Sequence, residues 1–556
     1  MRFDFDGRIE KEVLENYLSR CATAAGLYQS ETLSDDLRVI KKLGIKFLGR
    51  ASGIWYMTEN DEEHFERSRK LAERVHELDP EIILQACVFE MITQGIEQVE
   101  IPLYVLRAFG QKEEKRCFRL QDTLFVDRPE GFIHENSDPA KNGGIPDLSR
   151  LEAQMWFYYR ATRYIDCGYE ALHMGQIHLY TANDFGMEQT RDLFVKIRRY
   201  ARENGRRHLV LMDAHTHGVN VNGKLLFDYH AMPFTRAALL ERKGTKLVLV
   251  REGYSEGGEN PNGWSAPVMP YLMEYDNWGG KVVGHPENLT REELAGSDWW
   301  GYDQIGWFAN QSEEERNHFL EYTYCWTEIN NRNAYFEIPL RRMLSDAAVV
   351  MDSAVDGKKG LQETYQLNNP SMDCPFGFGQ EDIVADLWQR GHKLRELAGN
   401  PEHLIRFGAQ EEYDPETGMK LPEEIVVYGS FQPSVGAMKN DSNSSMTRMY
   451  YVGDNTWKLS VVIPYAGTYD YAVSTYGTLS ATYCRDRFPR SGSSNKAYFT
   501  TPKDNCVVMF EFRFHKPQVK ATVLYWDETG HEWRVRTVID PPRAKHRVAD
   551  QPVRTV

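Results

Sequence analysis

Four apolar runs in this sequence end in side chains that can hold charge or move protons. IILQACVFE (82–90) closes on Glu90, ALHMGQIH (171–178) reaches Gln176 and His178, HLVLMDAHTH (208–217) reaches Asp213, His215 and His217, and PVMPYLMEYD (267–276) reaches Glu274 and Asp276. Hydrolysis of a glycosidic bond needs one carboxylic acid to protonate the leaving oxygen. It needs a second carboxylate as nucleophile or as base for water. Glu274, Glu90 and Asp213 are the catalytic candidates. Asp276 lies two residues past Glu274 and faces the same way if the strand persists; Trp278 adds a ring beside it.

Other residues read as substrate contacts. Arg50, Trp55 and Arg20 fall near the first two strand ends, and DWWGYD (298–303) offers Trp300 and Asp303 on a loop. In DAHTHG, His215 and His217 share a side with Asp213, and Asp228 with His230 in FDYHAM could complete a metal site. Sugar-contacting or acid-tuning histidines are the favoured reading, with no metal and no cofactor expected. There is no P-loop and no paired-histidine zinc helix, which removes common NTPases and zinc peptidases.

Near-continuous Val/Ile/Leu runs are the pattern of strands covered by helices on both faces. Helices are expected near 34–43 (Ser34 as cap, Gly44 as stop), after Asn60 up to Pro80, and at 149–166 and 187–204. A capping box at Ser312 and Glu315 opens another, running to about 331. Strands fit 45–51, 82–89, 170–177, 208–213, 267–275 and 334–340, while 225–230 and 246–252 compete for the sixth place. The alternation predicts an α/β fold, a (β/α)8 TIM barrel over 1–400, with its chemistry at the C-terminal strand ends. After a linker at 401–424, short alternating runs over 425–556 predict an antiparallel β-sandwich.

The bulk numbers agree with a multidomain enzyme. The chain has 556 residues, 41% hydrophobic and 12% aromatic, enough for more than one core. Net charge is −15, and from Ile425 onward 17 Lys/Arg stand against 11 Asp/Glu, which leaves the rest at −21. So acidic a body argues against nucleic acid as a partner. No stretch reaches the length of a membrane span, so no membrane partner is expected. Eight isolated cysteines form no CxxC pair, and the N-terminus carries no apolar leader, which points to a reducing, cytoplasmic setting. Oligomeric state is not legible.

Two resemblances add to this. The segment GSFQPSVGAMKNDSNSSMTRMYYVGDNTWKLSVVIPYAGTYDYAV (429–473) resembles the sandwich modules of starch- and glycogen-acting proteins, in its GSF, its GDxxW step at Gly453–Trp457 and its GTYDY strand. Those modules often follow GSF with a sugar-stacking tryptophan, where this chain has Gln432 and Pro433. The strand-end acids look like the retaining barrel glycosidases, whose nucleophile ends the seventh strand and whose acid/base ends the fourth. Glu274 fits the first role, whereas Gln176 stands where the acid is expected. DGRIEKEVLENYLSR and WWGYDQIGWFANQSEEER look like a group of barrel proteins from gut anaerobes. The reading is a carbohydrate-active hydrolase; the alternatives are a metal-dependent hydrolase or lyase, or a non-catalytic glycan-binding protein.

Overall fold

The computed structural model describes the chain except residues 56–59, 127–142, 243–244, 252–254, 277–303, 331, 345–348, 354, 392, 401–412, 415–416, 476–481, 484–495, 515–517, 540–550 and 553–556. It is a mixed α/β protein. Its first part is a run of parallel strands: β1 (Cys21–Ala24), β2 (Phe47–Ser52), β3 (Ile83–Cys87), β4 (Ala171–His173) and β5 (Leu211–Asp213). They continue in β6 (His230–Pro233), β7 (Tyr271–Glu274) and β8, made of Ala334–Phe336 and Ile338–Met343. Each pairs in parallel with the next: Ala22 opposite Leu48, Leu48 opposite Leu84, Ala86 opposite Leu172, and Leu172 opposite Met212. A single parallel bridge from His215 to Ala231 carries the order on to β6. From there Ala231 faces Leu272, Leu272 faces Tyr335, and β8 pairs back onto β1 through Ala22 and Ile338.

Helices fill the connections. They include α1 (Lys11–Leu18), α2 (Leu33–Leu43), α3 (Asp61–Leu78), α4 (Leu151–Asp166) and α5 (Glu188–Asn204). After β7 come α6 (Glu313–Asn330) and, beyond β8, α7 (Glu381–Arg390). Gly44 ends α2 in the left-handed conformation, φ 66°, where a glycine pays no Cβ penalty. Asn60 caps α3, its side chain accepting from the Glu62 N–H. Ser34, expected as the cap of α2, lies inside its first turn, and Thr32 holds the cap position.

Two further expectations shift. The sixth parallel strand is 230–233, just past the 225–230 window, while Thr245–Arg251 forms an antiparallel hairpin with Thr235–Arg242. The hairpin run is as apolar as a buried strand, so composition alone could not separate them. Arg20 precedes β1 rather than ending it. It sits at the opposite end of the strands from the acids, stacked 5.0 Å over Trp388.

Period-2 alternation divides the strand residues into two sets. Outward side chains such as Leu48, Leu84, Leu172 and Met212 join the core under the helices. Phe47, Ile83, Ala171, Leu211, Tyr229, Ala231, Leu272 and Tyr335 form a separate inner cluster with Cys21. Two residues further along the same strands, the inward positions are Thr23, Gly49, Gln85, His173, Asp213, Glu274 and Glu337. The interior thus changes from apolar to polar over a single layer.

The C-terminal part holds two antiparallel sheets. Ile425–Gly429, Gly467–Thr475, Thr482–Tyr483 and Ala497–Thr501 make one; Tyr450–Gly453, Thr456–Ile463, Cys506–Arg513, Gln518–Asp527, Glu532–Ile539 and Gln551–Pro552 make the other. Their facing residues, among them Val427, Phe431, Val473, Trp457, Val461 and Phe510, share one apolar core. The larger sheet is apolar on its outer face too. Val462, Val507, Leu524, Trp526 and Trp533 belong to the core of the first part. Asn400 exchanges two hydrogen bonds with the Ser460 backbone, and Asn505 donates to Glu321 on α6 at 2.9 Å.

Candidate active site

The polar layer converges on Glu274 at the end of β7. Arg50 donates to both its oxygens, Arg342 on β8 lies 3.3 Å from Oε2, and His215 Nε2 lies 2.7 Å from Oε1. Nε2 also sits 2.9 Å from the Arg50 guanidinium, which can only donate. A proton on Nε2 pointed at the carboxylate satisfies the shorter contact. Burial works against a charged Glu274, but Arg50, then Arg342 and His215, outweigh it and hold the carboxyl well below the usual range. Glu274 is an ionised carboxylate enclosed by cations, its side chain 1% exposed.

Arg50 reaches this position through its backbone. Phe47 and Gly49 face inward, so regular alternation would send Arg50 out to the helices. Its φ of 55° and the register shift between Leu48 and Ser52 turn it in. Its N–H donates to Gln85 Oε1 at 2.9 Å. Gly49 makes room for Glu337, since a Cβ there would overlap Oε1 of that residue. Glu337 is pushed by burial up to about 7, with Arg50 pulling the other way.

Beside this group, Asp213 accepts from Gln85 Nε2 at 2.6 Å and the Tyr229 hydroxyl at 3.1 Å, and its other oxygen lies 2.9 Å from His173 Nδ1. Burial raises the Asp213 carboxyl to about 7. It holds the His173 ring well below its ordinary range, Arg50 and His215 adding to the effect, so that imidazole is neutral. These two raised carboxyls have a sign for stability. Unfolded, both titrate near 4; folded, near 7. Their contribution is present below pH 4 and is lost as pH rises to 7, so unfolding free energy should carry a falling component across that window. In Asp213→Asn, denaturation midpoints measured from pH 4 to 8 should show a shallower fall; an unchanged slope would contradict the assignment.

Glu90 lies past the end of β3. Its Oε2 accepts from the Gln176 N–H at 3.2 Å, and burial raises its carboxyl, with His215 opposing and Asp276 adding to the shift. Gly175, at φ 63°, lets the backbone close on this carboxyl, because a Cβ would overlap Oε2. Gly175→Ala meets both that overlap and left-handed strain of about 1 kcal/mol or more. It should displace Glu90 and lower any turnover with little change in helix content by circular dichroism. Wild-type turnover in that variant would mean that Glu90 needs no such seat. Asp276, two residues past the end of β7, pairs with Arg342 Nη2 at 2.7 Å, and its side chain is 13% exposed, more accessible than that of Glu274.

The other expected contacts scatter. Gln176 is buried with its Oε1 unpartnered, while His178 and His217 are exposed. Trp55 packs edge-on against Phe89 at 5.1 Å. His230 points away from the inner layer and bonds Ser255 Oγ at 2.8 Å; burial, then His217, lowers it to about 3. Asp228 is held by Arg198 at 2.8 Å and the Met212 N–H at 2.7 Å. Asp213, His215, His217, Asp228 and His230 therefore do not converge on a common point, and among the described residues no three His, Cys, Asp or Glu are grouped to hold a metal ion. Trp278, Trp300 and Asp303 lie outside the described residues.

Several members were missed in the sequence. Gln85, His173, Glu337 and Arg342 are polar residues inside apolar runs, which was the available signal; Tyr229 carried none. GYSEG (253–257) has the spacing of a nucleophilic-serine turn, so absence of that motif cannot be what removes serine esterases. Ser255 is followed by the strand Gly258–Glu259 rather than the helix such a turn requires.

In the C-terminal part, Gln432 occupies the place where the resembling modules often stack a sugar. It is fully buried, accepting from the Gly429 and Asp441 N–H groups and donating to Asp441 O and Thr447 Oγ1. Trp457 is core, 1% exposed. The described cysteines are all free, and no described helix is long and apolar enough to cross a membrane.

No family model matches this sequence, and no curated protein matches it. Among solved structures, a GH27 β-L-arabinopyranosidase from Geobacillus stearothermophilus is 10% identical, with 81% of this chain and 85% of that one covered and a TM-score of 0.34. An isomalto-dextranase from Arthrobacter globiformis T6 is 10% identical over 92% of this chain and 82% of its own, TM-score 0.34. A pullulanase from Bacillus acidopullulyticus is 18% identical, but only 25% of this chain and 19% of that one are covered, TM-score 0.16. At these scores the likenesses assign neither residue roles nor chemistry.

Proposed function

We propose that this chain is a glycoside hydrolase acting on an oligosaccharide or polysaccharide. In this reading β1–β8 form a (β/α)8 barrel within 1–400, 401–424 is a linker, and 425–556 is a β-sandwich that braces the barrel. Glu90 is the general acid. Asp276 is the carboxylate that attacks the anomeric carbon or activates water, and Glu274 is the fixed charge that orients Arg50 and Arg342 around it. One observation carries the proposal: Glu90, buried and pushed toward its neutral form, and Asp276, part-exposed and paired with Arg342 at 2.7 Å, lie at the same end of the parallel strands. A proton donor with a second, accessible carboxyl group is what glycosidic cleavage requires.

The assignment differs from the expectation that Glu274 is the nucleophile. A carboxylate chelated by one guanidinium and approached by a second has its oxygens engaged, whereas Asp276 is more accessible. The buried Gln432 and the two-faced packing of the larger sheet support a bracing role for the sandwich over a glycan-binding one. The test is a panel of alkyl glycosides, whose leaving group needs protonation, assayed with wild type, Glu90→Gln and Asp276→Asn, with and without chelator. Turnover indifferent to chelator and lost in both variants is expected; silence on every glycoside, or loss with chelator alone, would overturn the proposal.

A further inference from the structure

The chain buries or half-buries every described phenylalanine and tryptophan except one. Phe185 is 91% exposed. It stands on the loop leaving β4 for α5, the loop that begins with Gly175 and Gln176, at the strand end where the carboxylates gather. The loop is firmly held. Asp184, 3% exposed, accepts from the Thr190 N–H and hydroxyl at 2.8 Å each, and its carbonyl accepts from the Met187 N–H at 2.8 Å. Asn183 donates to Asp147 at 2.8 Å, and Met187 is left-handed at φ 52°. The pinned backbone keeps the ring in water and forgoes the stabilisation that burying it would give.

A protein partner would be met by a contiguous apolar patch. Here the ring is the one fully exposed apolar side chain of its loop, with Gly186 and Glu188 exposed beside it, Ala182, Asn183 and Met187 part-buried and Asp184 buried. One flat apolar surface with a polar surround matches the apolar face and hydroxyl rim of a pyranose. We propose that Phe185 is a stacking platform for a sugar of an extended glycan whose scissile bond lies at Glu90. The substrate is then a chain rather than a small glycoside. This rests on the hydrolase reading above.

The experiment compares kcat/KM on α- and β-linked gluco-, manno- and xylo-hexasaccharides with kcat/KM on the matching aryl monoglycosides. In Phe185→Ala the hexasaccharide-to-aryl ratio should fall about tenfold, the loss of one stacked ring, while Phe185→Trp keeps it. An unchanged ratio overturns the platform. If wild type cleaves nothing, the hydrolase reading fails by itself, and electrophoresis of the intact protein through gels containing glycogen, mannan or xylan decides the platform. Retardation lost in Phe185→Ala upholds it. Equal migration of the two proteins in every gel, or self-association in sedimentation that disappears in the variant, overturns it.

Discussion

Replacing Glu274 by alanine will destabilise the protein by about 3–5 kcal/mol, the usual cost of removing one partner from a buried ion pair. Arg50, 7% exposed, and Arg342, 4% exposed, would be left facing each other without their shared carboxylate. Water cannot easily compensate there, and Glu337 beyond Arg50 is itself pushed toward its neutral form. Urea denaturation near pH 7 is the measurement. A loss below about 1 kcal/mol would mean that solvent reaches the cluster and that it behaves as a surface pair. Arg50→Met combined with Glu274→Met should recover a good part of the loss, because apolar replacement of both partners is often close to neutral. It follows that inactivity of a Glu274 variant is poor proof of a chemical role, since unfolding produces the same result.

Glu90→Gln and Asp276→Asn isolate the chemistry better. Each should lower kcat by about 10²–10⁴-fold, the range for losing a positioned acid or base, with denaturation midpoints close to wild type. Glu90 engages a backbone N–H rather than a charge, and Arg342 keeps Glu274 at 3.3 Å when Asp276 is changed, so neither change strands a buried cation. The two should differ with leaving group. On aryl glycosides whose phenol departs without protonation, Glu90→Gln should lose far less than on alkyl glycosides, whereas Asp276→Asn should lose equally on both. The pH profile carries a sign as well. Burial raises the Glu90 carboxyl, so the limb on which activity falls as pH rises should lie above the ordinary glutamate range, and Glu90→Gln should abolish that limb. Equal losses on both leaving groups would remove Glu90 from the acid role.

The order of strands and helices was legible because periodicity and caps are local. Glu90, Asp213 and Glu274 were found because each interrupts an apolar run at a strand end, and alternation related Asp276 to Glu274 and His215 to Asp213 without saying which side is inward. Most of the C-terminal strands follow the short alternating runs, since turns such as Asp454–Asn455, both at positive φ, announce a hairpin in their composition, whereas Thr482–Tyr483, Ala497–Thr501 and Gln551–Pro552 were not among those runs. Alternation, however, assigns a side only while the strand is regular. A single left-handed residue turned Arg50 inward, and no pattern in FLGRAS announces that reversal. Folding alone brought Arg342 and Glu337 from β8 against Glu274 and Arg50, and room for Glu337 depends on the missing side chain of Gly49. The sequence determined which residues carry the charge and near which strand ends they lie. The tertiary structure decided which of them pair, and so which acid is neutral and which ionised, because protonation depends on burial and on neighbours distant along the chain.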